Sequence, residues 1–207
     1  MDKILNFAVF EGGDGSGTTT QLNLISRRLN EMGVAFYPTC EPSGGQIGKL
    51  IRCALKGEIH VKPETLAMLF AADRNEHINA SDGILAHTSK NELVLSDRYV
   101  LSSLVYQGIE CGDELPTSLN KVFPAPEVTI YLDIDPQIAI ERMKERKSAE
   151  IYEYREFQEK VREKYISVIE RYRANGARVE IIDASQSVEE VARQVWSIIS
   201  DMPILKA

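Results

Sequence analysis

Phe10-Glu11-Gly12-Gly13-Asp14-Gly15-Ser16-Gly17-Thr18-Thr19-Thr20-Gln21 is the stretch on which the fold turns. From Gly12 to Thr19 it carries the frame of a P-loop, Gly-x-x-x-x-Gly-Lys-Ser/Thr, with Thr18 at the lysine position. Just before it, Ile4, Leu5, Phe7, Ala8, Val9 and Phe10 read as a buried strand. Just after it, Gln21 to Met32 reads as a helix, with Leu22, Ile25, Leu29 and Met32 at helical spacing. Strand, glycine loop and helix together are the context that a phosphate cradle needs. Gly12, Gly13, Gly15 and Gly17, with Asp14, Ser16 and Thr18 between and after them, let backbone N–H groups converge on one anion. The helix N-terminus adds positive potential there, and Thr19 can offer its hydroxyl to Mg²⁺. The competing reading is an ordinary glycine-rich turn, which the placement after a first strand disfavours.

Working outward, 207 residues suit one domain with a sizeable core. A net charge of −7 and the lack of a basic cluster argue against a protein that coats nucleic acid. Cys40, Cys53 and Cys111 are far apart, which suggests a reducing compartment and neither disulfides nor zinc. His60, His77 and His87 are likewise scattered. No signal peptide or membrane span is visible, so the expected location is cytoplasmic.

Short apolar runs alternate with helical periods along the chain. Strands are expected at Val34–Thr39, Glu92–Ser96, Val128–Leu132 and Arg178–Ile182. Helices are expected at Ile47–Leu55, from Pro63, at Tyr99–Gln107, at Thr117–Val122, from near Pro136, and at Glu153–Ala174. Ser187 and Glu190 form a capping box opening the last helix. This alternation predicts a three-layer α/β fold with a parallel sheet. Ligands should then lie at the carboxyl ends of the strands, where Glu11, Glu41 and Asp97 can converge.

Phe70 and Arg74 are four residues apart on one helix face. An aromatic plane beside a guanidinium suits a nucleobase, although core packing for Phe70 and a surface ion pair for Arg74 explain the same spacing. Leu93-Val94-Leu95-Ser96-Asp97-Arg98-Tyr99 is a strand ending in a carboxylate and an arginine. Asp97 suits the hydration shell of Mg²⁺, and Arg98 can grip a phosphate with two N–H groups. A structural Asp–Arg pair tying strand to helix is the alternative. Ser102 and Tyr106 share a face with Arg98, and Gln107 follows.

These segments together resemble the thymidylate kinases. The glycine loop from Phe10, the run Phe70-Ala71-Ala72-Asp73-Arg74, and the pattern Asp-Arg-Tyr-x-x-Ser-x-x-x-Tyr-Gln at Asp97 to Gln107 carry the resemblance. The late run Asp183-Ala184-Ser185-Gln186-Ser187 looks like that family's adenine-side loop. The resemblance implies a P-loop NTPase fold, a five-stranded parallel sheet with helices on both faces. It implies phosphorylation of dTMP by ATP with Mg²⁺, and a homodimer. It also implies roles: Phe70 stacking on thymine, Arg74 bonding its O4, Arg98 holding the acceptor phosphate, and Asp14 near the sugar and the transferred phosphoryl group. Tyr106 would crowd the sugar's 2′ position, and Glu41, Ser102 and Gln107 would line the dTMP site. Arg142 would cover the adenine opposite Ala184 and Gln186.

Two positions break the pattern. Thr18 replaces the lysine that normally bridges the β- and γ-phosphates. Cys40 stands where the family's Thr-Arg-Glu-Pro has arginine. Losing one well-placed charge donor typically costs about 3 kcal/mol in the transition state. Glu141-Arg142-Met143-Lys144-Glu145-Arg146-Lys147 lies where the family places its lid, around residues 142–153, and Arg146 there can replace the missing charge as an arginine finger. Interleaved acids allow the plainer reading of a solvated face. Thr18 and Cys40 leave open a nucleotide-binding protein without turnover. A kinase for another pyrimidine nucleotide is open too, since dUMP also carries O4.

Overall fold

The structure, a computed structural model, describes residues 2–144 and 151–206, with side chains for 2–143 and 155–206. Five strands make one parallel sheet: β1 (Lys3–Gly12), β2 (Phe36–Cys40), β3 (Leu93–Asp97), β4 (Ala125–Asp133) and β5 (Val179–Asp183), in the order β2-β3-β1-β4-β5. The helices between them are α1 (Thr18–Glu31), α2 (Gln46–Leu55), α3 (Pro63–Asn79), α4 (Ile84–Ser89), α5 (Val100–Cys111), α6 (Glu114–Asn120), α7 (Pro136–Lys144), α8 (Ile151–Ala174) and α9 (Val188–Ile199). A parallel sheet needs crossovers, and the crossovers cover both faces.

Alternation along the strands divides the core in two. Ala8 and Phe10 of β1, Leu93 and Leu95 of β3, and Val128, Ile130 and Leu132 of β4 face α1 and α9 through Leu22, Ile25, Leu29, Val191 and Val195. Phe7, Val9, Val94 and Tyr131 face the other way, onto Val105 of α5 and Val161, Tyr165 and Ile169 of α8. Ile4 shares the Phe7 face although it lies an odd number of residues away. The cause is a bulge: the β1–β4 register shifts between Ile4 and Ala8, and Asn6 adopts φ 59°. The Asn6 amide donates to Glu127 Oε2 at 2.7 Å, and the twist turns Leu5 out to solvent.

The expected strands and helices are present with ends moved by up to four residues, and α4 is an addition to them. Helix α1 stops at Glu31, so Met32 caps it and is exposed instead of completing the apolar face. At α9 the Ser187 hydroxyl accepts the Glu190 amide as expected of a capping box. The Glu190 carboxylate turns to Arg193 and Gln194. Among the described residues no helix is long and apolar enough to cross a membrane.

Candidate active site

The strand-to-helix turn after β1 is built from what glycine alone allows. Gly15 and Gly17 have φ of 81° and 94°, where side chains are strained. A Cβ on Gly15 would also meet the Ala139 carbonyl oxygen at 2.8 Å. Gly17 caps α1 with no side-chain hydrogen bond, so the first amides of that helix depend on another acceptor. The loop opens at the carboxyl end of the sheet, beside the ends of β2 and β3. There the Arg98 amide donates to Phe10 O at 2.8 Å, and the Glu41 amide to Asp97 O at 3.0 Å.

Thr19 and Asp97 meet across this end. The Thr19 hydroxyl donates to Asp97 Oδ2 at 2.5 Å. Asp97 Oδ1 is buried with no hydrogen-bond partner among the described residues. Asp14 and Arg98 also meet: Arg98 Nη2 donates to Asp14 Oδ1 at 2.7 Å, and Nη1 to Ser102 Oγ at 3.3 Å. The guanidinium carbon lies 5.2 Å from the Tyr106 ring centroid. Tyr106 donates to Asp14 Oδ1 at 3.3 Å, and burial pushes its phenol up to about 12, so it acts as a neutral donor. Arg98 itself holds φ 73°, a costly conformation for a side-chain-bearing residue at a strand end.

The second arginine is deeply enclosed. Arg74 is 1 % exposed. Its Nε and Nη2 donate to Glu41 Oε2 at 2.9 and 2.5 Å, and Nη2 also reaches Tyr99 O and Ser103 Oγ at 3.0 and 3.1 Å. Nη1 donates to Asn120 Oδ1. Glu41 Oε1 lies 3.2 Å from His77 Nδ1, whose other ring nitrogen meets the Thr39 hydroxyl at 2.7 Å. Glu41 therefore orders Arg74. Phe70, one turn before, stays half-buried. Gln107 is buried, and its Oε1 has no partner among the described residues. Arg142 Nη1 donates to Ala184 O at 2.9 Å, and Nη2 lies 3.5 Å from Gln186 O, so the contact expected between these segments is made. Arg146 lies outside the described residues.

Glu11 lies at the carboxyl end of β1 as expected, whereas Arg52 and Tyr165 were not singled out from sequence. Glu11 is wholly buried and accepts from the Tyr99 amide at 2.9 Å, the Ser102 amide at 3.2 Å, the Ser102 hydroxyl at 2.6 Å and Tyr165 at 3.0 Å. Burial raises its carboxyl above the ordinary value, while Ser102 and Arg98 pull the other way. Arg52 of α2 donates to Ser43 O at 2.5 Å and to Pro42 O, and its Nη2 is 3.8 Å from Cys40 Sγ. A guanidinium thus stands beside the position where the family pattern has arginine. The helical period of α2 gives Arg52 no distinction, so sequence held no signal for it. Tyr165 is equally silent in sequence, one apolar position on a long helix.

The chain is similar to known proteins along nearly its whole length. The sequence model named Thymidylate kinase matches residues 10–195. The "Putative thymidylate kinase" of Treponema pallidum is 40% identical over 198 residues, covering 94% of this chain and 95% of that protein. The "Probable thymidylate kinase" of Methanococcus aeolicus is 40% identical over 202 residues, covering 96% and 98%. That of Pyrobaculum aerophilum is 42% identical over 195 residues, covering 93% and 95%. With the glycine loop on a five-stranded parallel sheet flanked by helices, matches of this length mean that the chain is a P-loop NTPase of the thymidylate kinase family.

Proposed function

We propose that the chain transfers the γ-phosphoryl group of ATP to dTMP, giving ADP and dTDP. The observation that carries this is the 2.7 Å pair between Asp14 of the glycine loop and Arg98 of the strand end. It joins a phosphate cradle to an acceptor-phosphate grip in one cleft. The loop amides and the open N-terminus of α1 take the phosphates of ATP. Arg98 takes the phosphate of dTMP, with Ser102 fixing one arm of the guanidinium. That phosphate is already an anion near neutral pH, so its attack needs no general base, and catalysis is positioning plus charge neutralisation.

Phe70 supplies the stacking face for thymine. Gln107 Oε1, buried without a partner among the described residues, suits the base N3–H. Arg74 Nη1 makes one hydrogen bond among the described residues and keeps one hydrogen for O4. Tyr106 stands at the sugar, and Arg142 with Ala184 and Gln186 at the adenine.

The Thr19–Asp97 pair fits Mg²⁺. A hydroxyl meets a carboxylate whose second oxygen is buried and unmatched, and Mg²⁺ characteristically takes one carboxylate plus phosphates and water. When bound, the ion neutralises charge on the transferring phosphates. The segment around 142–153 serves as a lid in this reading, and Arg146 supplies the charge that Thr18 lacks. The scattered thiols and the family resemblance support a cytoplasmic homodimer.

One assay tests the reading: ADP release with dTMP, dUMP, dCMP or no acceptor, with Mg²⁺ present. Release should require dTMP and exceed that with the other nucleotides. Binding of both nucleotides without dTDP formation would replace the reading by a nucleotide-binding protein without turnover.

A further inference from the structure

We propose that Tyr165 is a positioning residue that couples the two nucleotide sites, through one phenolic proton shared between the glycine loop and the carboxylate that orders the acceptor arginine. The inference rests on the kinase reading above. Tyr165 sits fully buried on α8. Its hydroxyl oxygen lies 3.0 Å from Glu11 Oε2, 3.3 Å from Gly12 O and 3.0 Å from Ser102 Oγ. Two of those three, the carboxylate and the carbonyl, only accept, and the phenol has a single proton to give. Ser102 Oγ donates to Glu11 Oε2 at 2.6 Å and receives Arg98 Nη1 at 3.3 Å.

The two acceptors belong to different halves of the cleft. Gly12 begins the loop that cradles ATP. Glu11 Oε1 holds the amides of Tyr99 and Ser102, which flank the first turn of α5 just after Arg98. A residue at φ 73° keeps that conformation only while its surroundings enforce it. The Tyr165 ring adds a third contact, edge-on to Tyr106 at 6.4 Å and 84°, and Tyr106 in turn reaches Asp14. The same face of α8 backs the loop further on. A Cβ on Gly13 would meet Gln158 Oε1 at 3.1 Å and Val161 Cγ1 at 3.8 Å.

Donation of the phenolic proton to Gly12 leaves Glu11 Oε2 with Ser102 as its donor. Donation to Glu11 releases the Gly12 carbonyl. These are two arrangements of one element, and each nucleotide biases the choice by the way it sets its own half. Linkage makes the effect reciprocal, so ATP alters dTMP affinity by the factor with which dTMP alters ATP affinity.

The test is calorimetric titration of dTMP with and without a saturating non-hydrolysable ATP analogue and Mg²⁺, for the wild type and Tyr165→Phe. In the wild type the analogue should change the dTMP dissociation constant by about fivefold or more. In Tyr165→Phe that ratio should fall to within about twofold of unity, with each separate affinity within about threefold of wild type. A phenol that only packs would shift the separate affinities and leave the ratio, which overturns the proposal, as does a wild-type ratio of one. If Tyr165→Phe does not fold, hydrogen exchange in the wild type decides. The Tyr99 and Ser102 amides should change protection when the analogue alone binds, and unchanged protection overturns it. Failure of the wild type to bind either nucleotide sinks the kinase reading and this inference together. Binding of both with the ratio intact in Tyr165→Phe sinks this inference alone.

Discussion

Asp97 has one carboxylate oxygen held by Thr19 and one buried without a partner among the described residues, an arrangement that costs free energy unless something else arrives. Asp97→Asn keeps the shape and removes the charge. Turnover at saturating nucleotide should fall on the order of 10²-fold or more, while the melting temperature moves little. A comparable loss of stability would make Asp97 a structural tie. Arg74 works differently, because its guanidinium neutralises the buried Glu41. Removing one partner of such a pair typically costs about 3–5 kcal/mol. Arg74→Ala should therefore lower the urea midpoint markedly as well as weaken dTMP binding, and an unchanged midpoint would deny the network its weight. Glu11 supplies a pH test. Its carboxyl is raised above 4.5 by burial, so between the unfolded and folded values the native state binds the extra proton. Its contribution is present at low pH and is lost as pH rises through the raised value. Glu11→Gln should flatten that downward slope in urea unfolding followed by pH; an unaltered slope would assign it to other groups.

At the scale of elements, α2 shows how a glycine fixes a helix against a turn. A Cβ on Gly48 would lie 2.0 Å from Ser43 O and 2.8 Å from Ser43 C and N. Backbone cannot yield as a flexible side chain does, so Gly48→Ala must lift α2 from the Pro42–Ser43 turn. Overpacking of this kind typically costs about 1–3 kcal/mol. Helix α2 packs against α3, which carries Phe70 and Arg74, so the same variant should weaken dTMP binding; normal affinity in a destabilised variant would separate the helix from the site. The elements themselves were largely legible. The β1–loop–α1 unit announces itself because a dense apolar strand, four glycines and a helical period fall in immediate succession. Helix α4 was missed because six residues are too few to show a period, and its position comes from packing of Ile84 into the core. Leu5 and Met32 misled for local reasons, a bulge at Asn6 and a helix that stops one residue early. No apolar pattern encodes either.

The whole molecule sets what pattern reading could not reach. Glu41, Arg74 and Asn120 converge from three separate stretches of the chain, and Glu11 of β1 meets Tyr165 of α8 on one face of the sheet. Such pairings follow from strand order, so the candidate residues were legible one by one but not their partners. The strand order also brings the cations of the cleft into view. Arg98 is engaged with Asp14, Arg52 with the Pro42 and Ser43 carbonyls, and Arg142 with those of Ala184 and Gln186. Thr18 opens α1 at the loop position that the proposed function expects to carry a charge for the γ-phosphate, and in that reading the sequence offers Arg146, four residues beyond Arg142. If Arg146 acts as a finger, Arg146→Ala should lower the rate of dTDP formation by about 10³-fold or more. A Thr18→Lys change in that background should restore part of the rate, because a new ammonium can reach the same oxygens from the loop. In the wild-type background Thr18→Lys should do far less. The two positions would then couple in a double-mutant cycle, as residues with a shared partner do. Additive effects would mean that loop and lid act independently, and the compensation would have to be sought among the arginines already in the cleft.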